Sequence, residues 1–213
     1  MLRCLSAAVA GLALGALVLT GGMGCRTSEV EEQTEEKPKT YKPPTEAEVE
    51  EAKKVGQYQV IVDTDRGKVE LELDGKAAPL HVANFVKLAK AKFYDGLIFH
   101  RVVSDPPVVQ TGKPKGDGTG GPGYTIKAEQ SPLKHDTGAL GMARSPHPDS
   151  AGSQWYITRA PAHFLDQGVR GPGYVVFGKV VKGMDSVKKI KQGDKMISVV
   201  AKPKPKEKEK ASE

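Results

Sequence analysis

A single arginine interrupts an apolar, β-prone stretch of the sequence and is the first residue to consider for chemistry. Arg101 follows His100 within the run from Leu97 to Val103, and that run contains no acidic residue that would pair with it. A guanidinium keeps its charge at ordinary pH and donates hydrogen bonds from a rigid plane, so an arginine held in a strand is a strong fixed donor. The other interpretation is an arginine exposed on the surface, which is the more common role. This segment alone does not decide between a fixed hydrogen-bond donor and an exposed surface arginine.

Three other patterns that could carry chemistry lack the context that they need. The segment Gly118–Gly123 fits GxGxxG, but Pro122 and the β-prone Tyr124–Ile126 do not permit the helix of a dinucleotide site. Ser153 does not stand in the GxSxG sequence of a hydrolase. No two histidines have HxxxH spacing, and no cluster of carboxylates accompanies them, so we expect no metal site. The histidines are His81, His100, His135, His147 and His163.

The N-terminus has the pattern of an export signal. Residues 1–25 contain Arg3, an uncharged apolar stretch from Leu5 to Thr20, and small residues before Cys25. This ending resembles the lipobox of bacterial lipoproteins, although Gly22 stands where that motif usually has leucine. We therefore expect export to the cell envelope and a lipid anchor at Cys25, with plain cleavage and an uncleaved anchor as alternatives.

The residues around this signal refine the expectation. In bacterial lipoproteins, an aspartate directly after the lipidated cysteine retains the protein at the inner membrane. Arg26 stands at that position here, which favours the outer membrane or periplasm. Cys4 and Cys25 are the only cysteines, which excludes a disulfide framework in the folded part.

Composition divides the rest of the chain. Residues 26–54 are charged, contain Pro38, Pro43 and Pro44, and are expected to form a disordered tether, with a short solvated helix predicted by the capping box at Thr45–Glu48. Residues 55–201 form the predicted folded domain, and residues 202–213 a disordered basic tail. The domain has 20 basic and 14 acidic residues, a net charge of +6. These charges are scattered and not interleaved with aromatic residues, so we expect no binding of nucleic acid.

The domain is predicted to be mainly β. Segments 58–64 and 68–73 alternate apolar and polar residues as strands do, and Pro79 stands where a helix would begin. Apolar residues at helical spacing predict a second short helix around Val187. Many short strands and two helices without βαβ alternation indicate a closed antiparallel barrel with helical caps.

Several motifs occur in an order that is typical of one family. Together they resemble the cyclophilin-type peptidyl-prolyl isomerases, over roughly residues 58–201. The motifs are Phe99–Val103, Gln110, Gly118–Tyr124, His135–Arg144, Asp149–Thr158, Phe164–Asp166 and Val176–Val180.

The resemblance implies a closed eight-stranded antiparallel barrel capped by two α-helices, and an enzyme that rotates X–Pro bonds without metal, nucleotide or covalent intermediate. Amide resonance sets the barrier to this rotation at about 18–20 kcal/mol. Twisting leaves a lone pair on the prolyl nitrogen, to which a guanidinium can donate a hydrogen bond that is stronger in the twisted state. Arg101 matches the catalytic arginine of the family.

The resemblance also implies the residues that bind the substrate. Gln110 and Gln154 match groups that position the arginine and the peptide backbone, and His100 is expected to support the geometry. Ala143 and Arg144 match the strand that pairs with the peptide main chain; Arg144 stands where many eukaryotic members have asparagine, but its main chain could make the same bonds. Tyr156 and Leu165 match the walls of the proline pocket, and Phe164 falls where many bacterial members have phenylalanine. The full expected set is His100, Val108, Gln110, Gly118, Ala143, Arg144, Gln154, Tyr156, Phe164, Leu165 and Tyr174.

One departure from the family pattern concerns the proline pocket. The stretch between Arg101 and Gln110 is one residue longer than usual, Pro107 stands where the family has phenylalanine, and Val108 where it has methionine. Because a phenylalanine buries about 150–250 Å², its loss predicts a shallower pocket. A one-residue shift inside a strand would reverse its faces, so we expect the turn at residues 104–106 to absorb the extra residue.

These observations favour a monomeric peptidyl-prolyl isomerase without cofactors that assists the folding of exported proteins. Its expected partners are proline-containing polypeptides and, through the lipid anchor, a membrane. The altered pocket keeps open an alternative, a weakly active or inactive module that binds proline peptides. A third possibility is an adaptor that works through the tether or the basic tail.

Overall fold

Alternating apolar and polar residues build the first two strands, and a helix crosses the sheet after them. The computed structural model describes residues 40–114 and 120–205. The strands are β1 (Gln57–Thr64), β2 (Gly67–Asp74), β3 (Arg101–Ser104), β4 (Pro107–Thr111), β5 (Ala139–Met142), β6 (Trp155–Thr158), β7 (Val176–Lys182) and β8 (Met196–Pro203). The helices are α1 (Glu46–Val55), α2 (Pro79–Lys90) and α3 (Met184–Lys189), with short 3-10 helices at Pro148–Ser150 and His163–Leu165.

The eight strands form one antiparallel sheet in the order β3-β4-β6-β5-β7-β2-β1-β8. The mainly β architecture is confirmed, but the prediction of a closed barrel is wrong, because the sheet is an open half-barrel with β3 and β8 at its edges. Within the described residues, the two edges approach each other through one isolated bridge between Ile98 and Lys195. The backbone N–H of Phe99 donates to Asp194 O at 2.9 Å nearby. The Met196 N–H also donates to Leu97 O at 2.7 Å, and the Gly193 N–H donates to Phe99 O at 3.0 Å. These bonds involve residues before β3, which begins at Arg101, so β3 and β8 themselves do not pair.

The concave side of the sheet holds an aromatic core centred on α2. Phe85 of this helix lies 5.0 Å from Tyr94, 5.5 Å from Trp155 and 5.7 Å from Phe177 between ring centroids. Burial of such large apolar rings is the main contribution to the stability of a small domain. Helix α2 begins at Pro79 as predicted.

The N-terminal helix corrects the predicted domain boundary. Helix α1 has the capping box at Thr45 and Glu48, but it is not simply solvated, because Ala52 is buried in the core and Val49 packs against it. Tyr41 contacts Phe93 edge to face at 5.0 Å. The sequence predicted this helix but placed it in the solvated tether, whereas it packs on the core, so the fold includes residues well before Val55. Strand β8 likewise runs to Pro203, beyond the predicted end at Ala201.

Some predictions fall on residues that the structure does not describe. The export signal with Cys25, most of the tether, Gly118, and the tail after residue 205 lie outside the described ranges. Within those ranges, no helix combines the length and apolar composition that crossing a membrane requires. The same ranges contain no group of three or more His, Cys, Asp or Glu side chains placed to hold a metal ion.

Candidate active site

The hairpin of β3 and β4 places Arg101 opposite Gln110 on one face of the sheet. The register pairs Arg101 with Gln110 and Val103 with Val108, and Asp105–Pro106 form the two-residue connection between the strands. The connection falls within residues 104–106, where the additional residue is expected, and the absorption of that residue by the turn stays a prediction. Val108 shares the face of Gln110 because side chains two apart in a strand point the same way.

Three side chains form a hydrogen-bonded row across this face. Arg101 Nη1 donates to Gln110 Oε1 at 3.2 Å, and Gln110 Nε2 donates to Gln154 Oε1 at 2.9 Å. All three residues are half-buried. Among the described residues no carboxylate pairs with Arg101, and its other N–H groups have no protein acceptor. The row therefore holds a charged donor in place and leaves part of it available to a ligand.

His100 lies beside this row and is neutral at physiological pH. Both of its ring nitrogens are buried without a hydrogen-bond partner within the described part of the chain. Burial, with the charges of Lys113 and Arg101, lowers the pKa of His100 to about 4. It therefore adds no charge next to the arginine, and its place is consistent with the supporting role expected of it.

Tyr156 forms a buried wall next to the row, because β6 places it opposite Gln110. Gly141 on the neighbouring strand leaves it room, since a Cβ there would lie 2.2 Å from Tyr156 Cζ. The Tyr156 hydroxyl bonds His135 Nε2 at 2.8 Å, and His135 Nδ1 bonds Asp166 Oδ1 at 2.7 Å. A carboxylate on Nδ1–H leaves Nε2 as the acceptor of the tyrosine O–H.

The His135–Asp166 pair was not assigned to the site from sequence, although both residues lie in the motifs that carry the resemblance. Burial alone raises the pKa of Asp166, but hydrogen bonds from His135 outweigh it and leave the pKa below its usual value. Asp166 directly follows Phe164 and Leu165 of the 3-10 helix. The pair therefore ties two expected pocket residues to Tyr156.

Tyr174 packs next to Tyr156, and Arg144 packs on Tyr174. The Tyr174 ring meets Tyr156 edge to face at 6.1 Å, and its backbone N–H donates to Leu165 O at 3.0 Å. The Arg144 guanidinium lies 4.8 Å from the Tyr174 ring centroid. It also donates to the carbonyls of Gly173, Ser145 and Pro146. The prediction gave Arg144 a main-chain role only, and this side-chain clamp was missed.

A groove of about 420 Å³ continues from Gln110 and Gln154 past Ala143 and Arg144. The Ala143 N–H donates to Gln154 O at 3.0 Å. That group is not free to pair with a peptide, which limits the main-chain role expected of Ala143 to its carbonyl. Among the described members of the expected set, Gln110 and Gln154 of the row also line the groove with Ala143 and Arg144, and Tyr156 lies opposite Gln110 in the sheet; Gly118 lies outside the described ranges.

Comparisons with known proteins identify the class to which this fold and site belong. The family model described as "Cyclophilin type peptidyl-prolyl cis-trans isomerase/CLD" matches residues 59–210. The chain belongs to this family, and its activity class is that of an isomerase.

Individual relatives agree with the family match. The chain is 49% identical over 137 residues to peptidyl-prolyl cis-trans isomerase B of Bacillus subtilis, covering 63% of this chain and 91% of that protein. It is 41% identical over 157 residues to a peptidyl-prolyl cis-trans isomerase of Helicobacter pylori, covering 72% and 92%. The crystal structure of a Cryptosporidium parvum cyclophilin type isomerase matches with a TM-score of 0.62 and 28% identity, over 70% of this chain and 99% of that chain.

Proposed function

We propose that this isomerase acts on X–Pro bonds of exported polypeptides and that Arg101 supplies the catalytic hydrogen bond. The observation that carries the proposal is the row from Arg101 to Gln154. It holds a guanidinium at the surface of the site without a carboxylate partner among the described residues.

The proposed step needs no proton transfer. In the planar amide the prolyl nitrogen shares its lone pair with the carbonyl and accepts a hydrogen bond poorly. As the bond twists, the lone pair localises on nitrogen, and an N–H of Arg101 donates to it. The interaction is stronger in the transition state than in the ground state, which is the condition for lowering the barrier.

The substrate would lie across both halves of the site. Its proline ring would pack among Val108, Tyr156, Phe164, Leu165 and Tyr174. Its preceding residues would follow Ala143 and Arg144 into the groove. The side-chain amide of Gln154 would contact the peptide backbone, while its Oε1 continues to accept the hydrogen bond from Gln110 Nε2.

The experiment is an isomerisation assay on proline peptides. We expect Arg101→Ala to lower kcat/KM by about 100-fold, or about 2.7 kcal/mol at the transition state. Arg101→Lys should restore little, because an ammonium lacks the planar fork. Arg66→Ala serves as a control, since Arg66 pairs with Asp194 and is not part of the row. Unchanged kcat/KM in a folded Arg101→Ala protein would falsify the assignment.

A second candidate function is a weakly active or inactive module that binds proline peptides. The residues of β4 favour it. Val108 lies on the face of Gln110, and Pro107 lies opposite Ser104 at the turn. The strand therefore supplies no aromatic ring to hold the proline of a substrate. The same assay separates the two functions when it is combined with a binding measurement. Peptide binding without acceleration, and acceleration gained in Pro107→Phe, would favour the binding module.

We also propose that the enzyme is exported and held to the envelope by a lipid at Cys25. The support is the sequence pattern of residues 1–25 and the charged segment after it. An anchored isomerase of this kind would act on proteins that fold after export.

A further inference from the structure

Three cationic side chains lie at the groove or against an expected pocket residue, and among the described residues none of them has a carboxylate partner. They are Lys113, Arg144 and Arg170, which we call the cationic rim. Lys113 and Arg144 line the groove beyond Gln154. The Arg170 guanidinium carbon lies 5.3 Å from the ring centroid of Phe164, a residue expected to bind the substrate.

Two members of the rim are held in place. The Arg144 guanidinium stacks on Tyr174 and bonds three carbonyl groups, and the Arg170 guanidinium stacks on Phe164. A cation over an aromatic face has lost part of its freedom before a ligand arrives. These two guanidinium groups therefore lose less conformational entropy when a ligand binds than a flexible lysine does.

The acidic residues near the pocket do not neutralise the rim. Asp166 is buried and bonds His135 and His163. Asp136 is exposed and lies 3.5 Å from His163 Nε2. Within residues 40–114 and 120–205, no carboxylate lines the groove that contains Lys113 and Arg144. His100 is neutral, so it neither adds to the rim nor offsets it.

Resting on the proposed function, we propose that the site prefers polypeptides that carry an aspartate or glutamate one or two residues before the proline. With the proline nitrogen facing Arg101, the residues before it pass Ala143 and Arg144 over the groove, where Lys113 and Arg144 present positive charge. A carboxylate there meets cations without competing acids, whereas a lysine meets like charge.

The test compares three peptides that differ only in the residue before proline, which is glutamate, glutamine or lysine. Using the full chain, kcat/KM would be measured by the isomerisation assay and affinity by titration calorimetry. Because the groove is open to solvent, we expect a glutamate-over-lysine ratio of about threefold to tenfold at low salt. It should fall below about twofold near 1 M salt, where the screening length is about 3 Å.

Charge variants locate the effect. Lys113 has no hydrogen-bond partner among the described residues, so Lys113→Glu should leave the fold intact and bring the glutamate-over-lysine ratio to about one or below. Arg144→Gln should also lower the ratio, although it removes the clamp on Tyr174. On α1, outside the groove, Lys53→Glu makes the same charge change as Lys113→Glu, and Lys53→Gln the same as Arg144→Gln. Neither control should alter the ratio.

The outcomes separate this inference from the proposed function. Equal kcat/KM and equal affinity for the three peptides at low salt would overturn the inference while the isomerase activity stands. A ratio that Lys113→Glu does not alter would also overturn it. If no peptide is accelerated, the proposed function fails, and a glutamate preference in affinity alone would still support the acidic ligand class.

Discussion

Two buried tyrosines differ in whether their hydroxyl groups have a partner. The Tyr156 hydroxyl bonds His135 Nε2 at 2.8 Å, whereas the Tyr94 hydroxyl is buried without one in the described structure. A net hydrogen bond contributes about 1 kcal/mol, and a buried group left without its partner costs about 1–3 kcal/mol. Replacing each tyrosine by phenylalanine should therefore change the free energy of unfolding differently at the two positions.

We predict that Tyr156→Phe lowers the free energy of unfolding by about 1–2 kcal/mol, since His135 Nε2 loses its donor. Tyr94→Phe should leave that free energy unchanged or raise it, because it removes an unsatisfied polar atom from the core. Urea unfolding of both variants measures the difference. Equal losses in the two variants would show that the His135 bond contributes nothing measurable.

His100 gives a pH dependence of stability. Its pKa is lowered to about 4 in the folded chain by burial first and then by Lys113 and Arg101, while an unperturbed histidine titrates near 6.5. Between these values the unfolded chain binds the proton and the folded chain does not, so stability rises with pH across this window. Burial also lowers the pKa of His135, which adds a dependence of the same sign.

We predict that the free energy of unfolding falls as pH decreases from about 6.5 to about 4. His100→Gln should make this decrease smaller without removing it, because His135 still titrates. Chemical denaturation at several pH values tests this. The idea is wrong if the pH slope of the variant equals that of the original chain.

At the scale of elements, α1 joins the charged N-terminal segment to the core. Its Ala52 is buried, and Tyr41 before it contacts Phe93. Glu48 of α1 reaches Lys87 of α2 at 2.8 Å. Each contact joins residues far apart in sequence, so α1 depends on the domain for its position and stabilises it in return.

We predict that a chain beginning at Val55 is less stable than one beginning at Lys39. Loss of the aromatic pair and of the packing around Ala52 should cost about 2–4 kcal/mol, which corresponds to a fall in Tm of roughly 5–10 °C for a domain of this size. Thermal unfolding of the two chains checks this. Equal Tm values would mean that α1 rests on the domain without stabilising it.

At the scale of the whole molecule, the proposed anchor determines where the isomerase works. We predict that the mature N-terminus is a lipid-modified Cys25, because an uncharged apolar run and small residues precede it. Mass spectrometry of the mature N-terminus decides this. Cys25→Ser should release the protein from the membrane fraction, whereas Cys4→Ser should not. An unmodified N-terminal residue other than Cys25 would contradict the proposal.

The sequence by itself determined the features that depend on local pattern or on ordered motifs. Alternation predicted β1 and β2, Pro79 marked the start of α2, and the capping box predicted α1. Short-range rules suffice here because strand faces, helix starts and caps depend on neighbours within a few residues. The family and the expected pocket residues followed from motifs that occur in a fixed order.

Only the tertiary structure decided how distant segments meet. It left the sheet open between β3 and β8, packed α1 onto the core, joined His135 and Asp166 to Tyr156, and stacked Arg144 on Tyr174. These contacts join residues that lie 20 or more positions apart in sequence, and their distances depend on the packing of the whole chain. Local propensity holds no information about such distances, which is why sequence analysis named Arg144 and Tyr174 without showing that they touch.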